Sequence, residues 1–95
     1  MPINYAYHPT LNIVIRSDGM ILLPQRGKPA YWTYGKGDRH KQHRIFFRRK
    51  EYRVSHLVAE TYIPNPNGFR GVRHKNGYRF DNSVQNLEWV DGRDD

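Results

Sequence analysis

One stretch of this chain changes its period. Val54, Leu57, Val58, Thr61 and Tyr62 fall at i, i+3, i+4, i+7 and i+8, which is the apolar stripe of a helix packed on one side. Ser55 stands as its candidate N-cap and Glu60 falls on its polar side. Pro64 and Pro66 stop it near Tyr62, because each lacks an amide donor and pushes the preceding residue toward extended backbone. Upstream, the sequence reads as strands and turns. Asn12–Leu23 is two apolar runs around Ser17-Asp18-Gly19, and Asp-Gly between β-branched residues signals a hairpin of about Leu11–Arg16 and Met20–Leu23, with Pro24 ending its second strand. His43–Phe47 and Glu51–Val54 flank Arg48-Arg49-Lys50 and form a second hairpin with a basic tip. Met1–Thr10 shows no periodicity and reads as a lead-in. Gln25–Gln42, with Gly27, Pro29, Gly35 and Gly37, reads as an exposed loop in which Tyr31–Tyr34 is the one strand candidate.

With two hairpins, a central helix and then a small β-turn-helix unit, the 95-residue chain suits one small α+β domain, too small to enclose a large substrate cavity. It has no cysteine, so neither disulfides nor a thiolate zinc site adds stability. No apolar run approaches the ~18 residues of a membrane span, and the N-terminus lacks a signal peptide's layout. The expectation is a soluble, cytoplasmic protein with no membrane partner. Sixteen Lys and Arg oppose nine Asp and Glu, a net charge of +7 that draws polyanions. The charge is locally one-sided: from Arg26 to Arg53 only Asp38 and Glu51 oppose a basic run that includes Lys41, Arg44, Arg48, Arg49, Lys50 and Arg53. Aromatics alternate with it, a mixture suited to phosphates and bases, whereas the bland alternative is a solvated charged face.

The stretch Gly71–Val90 gathers the chemistry. An extended run ends in His74 and turns at Asn76-Gly77. It restarts after Asp81-Asn82-Ser83 as a short amphipathic segment, Val84–Val90, expected to be helical with Asn82 as its cap and Asn86 on its polar side. Hydrolysis of a phosphodiester requires a base to activate water and a cation to stabilise the added negative charge. Imidazole, with a reference pKa of about 6.5, suits the first role, and a carboxamide bonded to the loop or the ring fixes its direction. Taken alone, a His and an Asn a dozen residues apart are more often structural. No two histidines carry the helical spacing of a zinc site.

Tyr52 to Asp91, YRVSHLVAETYIPNPNGFRGVRHKNGYRFDNSVQNLEWVD, resembles the HNH endonucleases of the phage and intron homing type. The likeness runs through several ordered blocks: the apolar helix, Ile63-Pro64-Asn65-Pro66, the turn after His74, and Asn86-Leu87-Glu88-Trp89. It implies a ββα-metal (His-Me finger) core over 54–95, preceded by a basic β-rich DNA-binding part over 1–53. His74 then matches the general base, and Asn86 the asparagine that braces the loop and orients that base. Asp95 falls near the position of a ligand for one divalent metal, for which Mg²⁺ suits an aspartate. Arg73 stands where relatives carry a metal-ligating side chain, and a guanidinium cannot ligate a cation. In that place it is a candidate to contact the scissile phosphate. Lys75 and Arg79 join the basic run as DNA-binding candidates. The reading that follows is a small metal-dependent endonuclease acting on double-stranded DNA. The alternative keeps fold and charge but not the metal, and binds nucleic acid or a host protein.

Overall fold

The computed structural model describes residues 2–37 and 42–93. Four strands, β1 (Tyr5–Tyr7), β2 (Val14–Arg16), β3 (Ile21–Gln25) and β4 (Lys28–Thr33), form an antiparallel meander. The turn expected at Asp18-Gly19 joins β2 to β3, with Val14 opposite Leu22 and Ile15 opposite Ile21. Gly19 adopts φ +94°, which favours a residue without Cβ. Two strands fall outside the sequence expectation. β1 lies in what read as a lead-in, where Tyr-Ala-Tyr is too short to display a period, and pairs as an edge strand. β4 occupies much of the expected loop, and only its last residues overlap the Tyr31–Tyr34 candidate. Pro24 does not end β3; the register shifts between Leu23 and Gln25, so the missing amide is absorbed in a bulge.

The second hairpin, β5 (Arg44–Phe47) and β6 (Lys50–Arg53), turns through Arg48 and Arg49, which both take positive φ, 52° and 66°. That pair of angles is the turn that matches strand twist. The helix α1 runs Val54–Tyr62. Its N-cap is Arg53 without a side-chain cap bond, rather than Ser55. Ser55 lies inside the helix, buried, with its hydroxyl donating to Gln42 Oε1 at 3.1 Å. The last hairpin pairs β7 (Gly71–His74) with β8 (Leu87–Val90). The helix expected over Val84–Val90 is therefore a single 3-10 turn, Val84–Asn86, followed by a strand. Pairing with β7 satisfies the backbone of Leu87–Val90, and a segment this short carries too few residues for its period to decide.

One hydrophobic cluster joins these pieces. Ile13, Ile15, Ile21 and Leu23 of the meander, Ile45 and Phe47 of the second hairpin, and Val72 and Leu87 of the third meet Val54, Leu57, Val58 and Ala59 of α1. The helix is thus the hub on which all three hairpins are set. Tyr62 at its end donates its hydroxyl to the carbonyls of Ile15 at 2.5 Å and Asn4 at 3.1 Å. Trp89 donates from Nε1 to Ile63 O at 3.0 Å, which locks β8 to the helix end.

Candidate active site

The pleat of β7 decides what each of its residues faces. Val72 and His74 point into the core and Arg73 points out. Gly71 permits the hairpin to close, because a Cβ there would lie 2.7 Å from Gly92 O. His74 is 2% exposed, and its Nε2 lies 2.7 Å from Oδ1 of Asn82, itself 4% exposed. A carboxamide oxygen only accepts, so Nε2 carries the proton and Nδ1 is the basic nitrogen of the neutral ring. Sequence reasoning assigned Asn82 to helix capping; the 3-10 turn is instead preceded by Ser83, and the Asn82 carboxamide serves the imidazole.

Asn86 braces the loop. Its Oδ1 accepts from Asn76 N at 3.0 Å, while its Nδ2 donates to Asn76 Oδ1 at 3.0 Å and to Asp81 O at 2.8 Å. Its backbone carbonyl accepts from Lys75 N at 2.7 Å. Those bonds clamp both ends of the 76–81 loop, whose turn is also tied by Gly77 N donating to His74 O at 3.0 Å. Asn86 thus acts on the turn, and the bond to the ring comes from Asn82. Asp81 completes the frame, accepting from Ser83 Oγ at 2.6 Å and Asn76 Nδ2 at 2.9 Å. Partial burial would raise its carboxyl, but hydrogen bonds from Ser83 and Asn76 and the nearby His74 outweigh that and hold it below its usual range.

The site also rests on the first hairpin. Ser17 O accepts from Val84 N at 2.9 Å, and a Cβ on Gly19 would stand 2.9 Å from Asn82 O. The tip of β2–β3 is therefore packed against the residue that holds His74. This contact joins positions more than sixty residues apart, and no local pattern signals it. The tip is rigid in its own right: Asp18 binds Arg16 through both carboxylate oxygens, at 2.6 and 3.1 Å, and accepts from Tyr34 at 3.3 Å. Burial alone would raise the Asp18 carboxyl, and the Arg16 guanidinium with the Met20 amide brings it below its usual range.

The cations fall in separate places. Arg73 is ion-paired across the hairpin with Glu88, its register partner. Arg48, Arg49 and Lys50 crowd the β5–β6 tip, where Arg48 lies over the Phe47 ring at 4.8 Å and Lys50 over Tyr52 at 5.3 Å. Arg44 on β5 pairs with Glu51 at 3.1 Å, and Arg53 is exposed at the start of α1. Lys75 and Arg79 lie exposed in the loop after His74. A further basic and aromatic surface went unread in the sequence. On the outer face of the meander, Arg16 lies between Tyr5 and Trp32, 5.8 and 5.3 Å from their ring centres. Its signal is the alternation of Tyr5 and Tyr7, visible once β1 is known to be a strand.

Lys41 and Asp95, expected as a DNA contact and a metal ligand, lie outside the described residues. Among the described residues no three His, Asp or Glu side chains converge as a cation site. With Arg73 in the position before His74 and engaged by Glu88, the described side chains do not by themselves fit a divalent ion.

With its buried imidazole in a braced turn between two paired strands, the chain has the fold of an HNH homing endonuclease. The particular likeness is to the HNH homing endonuclease I-HmuI, whose solved structure concerns DNA binding and cleavage by that enzyme: TM-score 0.69 at 20% identity, over 96% of this chain and 53% of that one. At that identity the likeness is one of fold, and the chain spans about half of that structure. In sequence, 42 residues are 43% identical to an uncharacterized HNH endonuclease of Acanthamoeba polyphaga mimivirus, covering 44% of this chain and 13% of that protein. No protein-family model matches the chain.

Proposed function

We propose that the chain is a DNA endonuclease module that hydrolyses phosphodiester bonds with His74 as general base. The observation that carries this reading is the 2.7 Å Nε2–Oδ1 bond to Asn82, which supports a neutral imidazole protonated on Nε2 with Nδ1 as its basic nitrogen. In this reading Nδ1 takes a proton from water as the oxygen attacks phosphorus and the bond to the leaving oxygen breaks. Asn82 orients the ring, and Asn86 holds the turn. Arg73, freed from Glu88, offers its guanidinium to the scissile phosphate, where fixed positive charge lowers the barrier. The basic tip at Arg48, Arg49 and Lys50, together with Arg44, Arg53, Lys75 and Arg79, follows the backbone phosphates of duplex DNA. The fold likeness to a DNA-cleaving enzyme supports DNA as the substrate.

HNH nucleases generally use a divalent metal. Asp95 with Mg²⁺ is the assignment that the resemblance favours, and the described donors supply no step through it. The 1–53 part serves binding and the 54–95 part chemistry. A second reading, DNA binding without hydrolysis, is favoured by one observation: Arg73 is engaged with Glu88 where a ligand would stand. Nicking of supercoiled plasmid in Mg²⁺, Mn²⁺ or EDTA, with His74→Ala beside the parent, separates the two. Metal-dependent nicking lost in the variant supports the enzyme. Tight binding with no nicking in any metal supports the binder and refutes the enzyme.

A further inference from the structure

The 76–81 loop is held more firmly than an exposed turn needs. Asn86 bonds it at three points, Asn76 Nδ2 donates to Asp81 Oδ2 at 2.9 Å, Asn76 Oδ1 accepts from Tyr78 N at 2.9 Å, and Asp81 N donates to Tyr78 O at 3.1 Å. At the crest of this frame stand two large rings. Tyr78 is 59% and Phe80 57% exposed, with centres 5.4 Å apart and planes inclined by 34°. Neither enters the hydrophobic cluster that unites the hairpins and α1. Two adjacent exposed rings on a preorganised loop offer an apolar face that a partner can cover. The surroundings select the partner: Arg79 lies between the rings in sequence and Lys75 precedes the turn, both exposed, while the carboxylate of Asp81 is already occupied by bonds within the loop.

We infer that Tyr78 and Phe80 form a stacking platform for a nucleobase displaced from the duplex next to the phosphodiester that water, deprotonated by His74, attacks. This rests on the nuclease reading above and adds to it a deformation of the substrate. Stacking needs a flat apolar face with cations at its margin, and every base offers a π face, so the contact is tolerant of sequence. The loop that carries the rings is tied to the residue of the candidate base, since Gly77 N donates to His74 O at 3.0 Å. Aromatic insertion at a base step unstacks and bends DNA, which presents a phosphate that a straight duplex would leave out of reach.

The test compares a perfect duplex with the same duplex bearing a one-base bulge, with 2-aminopurine as the bulged base, in EDTA. The full chain is expected to bind the bulged duplex on the order of ten-fold more tightly and to quench the 2-aminopurine. Tyr78→Ala with Phe80→Ala is expected to lose both effects while keeping the parent's affinity and salt slope on the perfect duplex, and an unchanged melting temperature verifies its fold. A parent that binds both duplexes equally without quenching overturns the platform, leaving the rings to cover a protein surface instead. A double variant that keeps the preference overturns it too. A parent that binds neither duplex overturns the DNA reading itself.

Discussion

Gly19→Ala tests whether the first hairpin holds the His74 imidazole in place. Two costs follow from the structure. At φ +94° an L side chain meets its own backbone, a penalty of about 1 kcal/mol. The new methyl would also stand 2.9 Å from Asn82 O and 3.1 Å from Asn82 C and Cβ, tighter than real contacts, and those atoms belong to a buried residue that cannot swing away. Forced overpacking costs about 1–3 kcal/mol, for a total of about 2–4 kcal/mol. Gly27→Ala is the control, since Gly27 has φ +71° and nothing within 4 Å of the added carbon, so only about 1 kcal/mol applies. Urea unfolding measures both, and ¹⁵N chemical shifts of the His74 ring report its tautomer. Gly19→Ala is expected to lose the pure Nε2-protonated pattern and Gly27→Ala to keep it. Equal destabilisation by the two, or an undisturbed His74 ring in Gly19→Ala, refutes the argument.

Asn82→Ala leaves a buried imidazole N–H without its acceptor, and is expected to cost about 1–3 kcal/mol in denaturant unfolding and to abolish nicking with DNA affinity retained. Asp81 has a depressed carboxyl, so its contribution to stability is present above the unfolded value of about 3.9 and disappears as pH falls through the folded one. Melting temperature followed from pH 7 to pH 2 should therefore fall less steeply below about pH 4 in Asp81→Asn than in the parent. Arg49→Gly relieves φ 66° at the β5–β6 turn and is expected to raise stability by up to about 1 kcal/mol while weakening DNA binding and lowering its salt slope. Stability and affinity moving the same way would count against a binding role for that turn. Glu88→Gln is expected to strengthen DNA binding at a cost below about 1 kcal/mol in unfolding, and a loss of affinity would show that Arg73 does not turn to phosphate.

The parts of this fold legible in the sequence are those decided locally. The α1 stripe ends where Pro64 and Pro66 require, and Asp18-Gly19 and Arg48-Arg49 both make turns. The errors come where tertiary partners decide. Leu87-Glu88-Trp89-Val90 is a strand because β7 lies beside it, and Tyr5–Tyr7 is one because β2 does. The same division holds in the site. His74 and Asn86 stand out by type, turn chemistry and family resemblance, but Asn82 looks like a helix cap until its bond to His74 Nε2 is seen. Gly19 is legible as a turn residue; its approach to Asn82 spans the whole fold.

Arg73 and Glu88 bear on whether this fold performs hydrolysis, through the weakness of their bond. The two are direct cross-strand partners on the outer face of the last hairpin, with side chains 54% and 34% exposed. An opposite-charge pair so placed contributes only about 0.2–1 kcal/mol, because water already solvates both groups and two long side chains must be held still. A phosphate diester can accept two parallel N–H donors from a guanidinium, so the exchange of Glu88 for a phosphate is close to neutral before the rest of the duplex is counted. The pair thus holds Arg73 on the outer face of β7, next in sequence to the inward-facing His74, without committing it. A charge held by so small an energy can exchange its partner for a phosphate and return, whereas a metal ligand would have to be an oxygen or nitrogen donor that a guanidinium cannot replace.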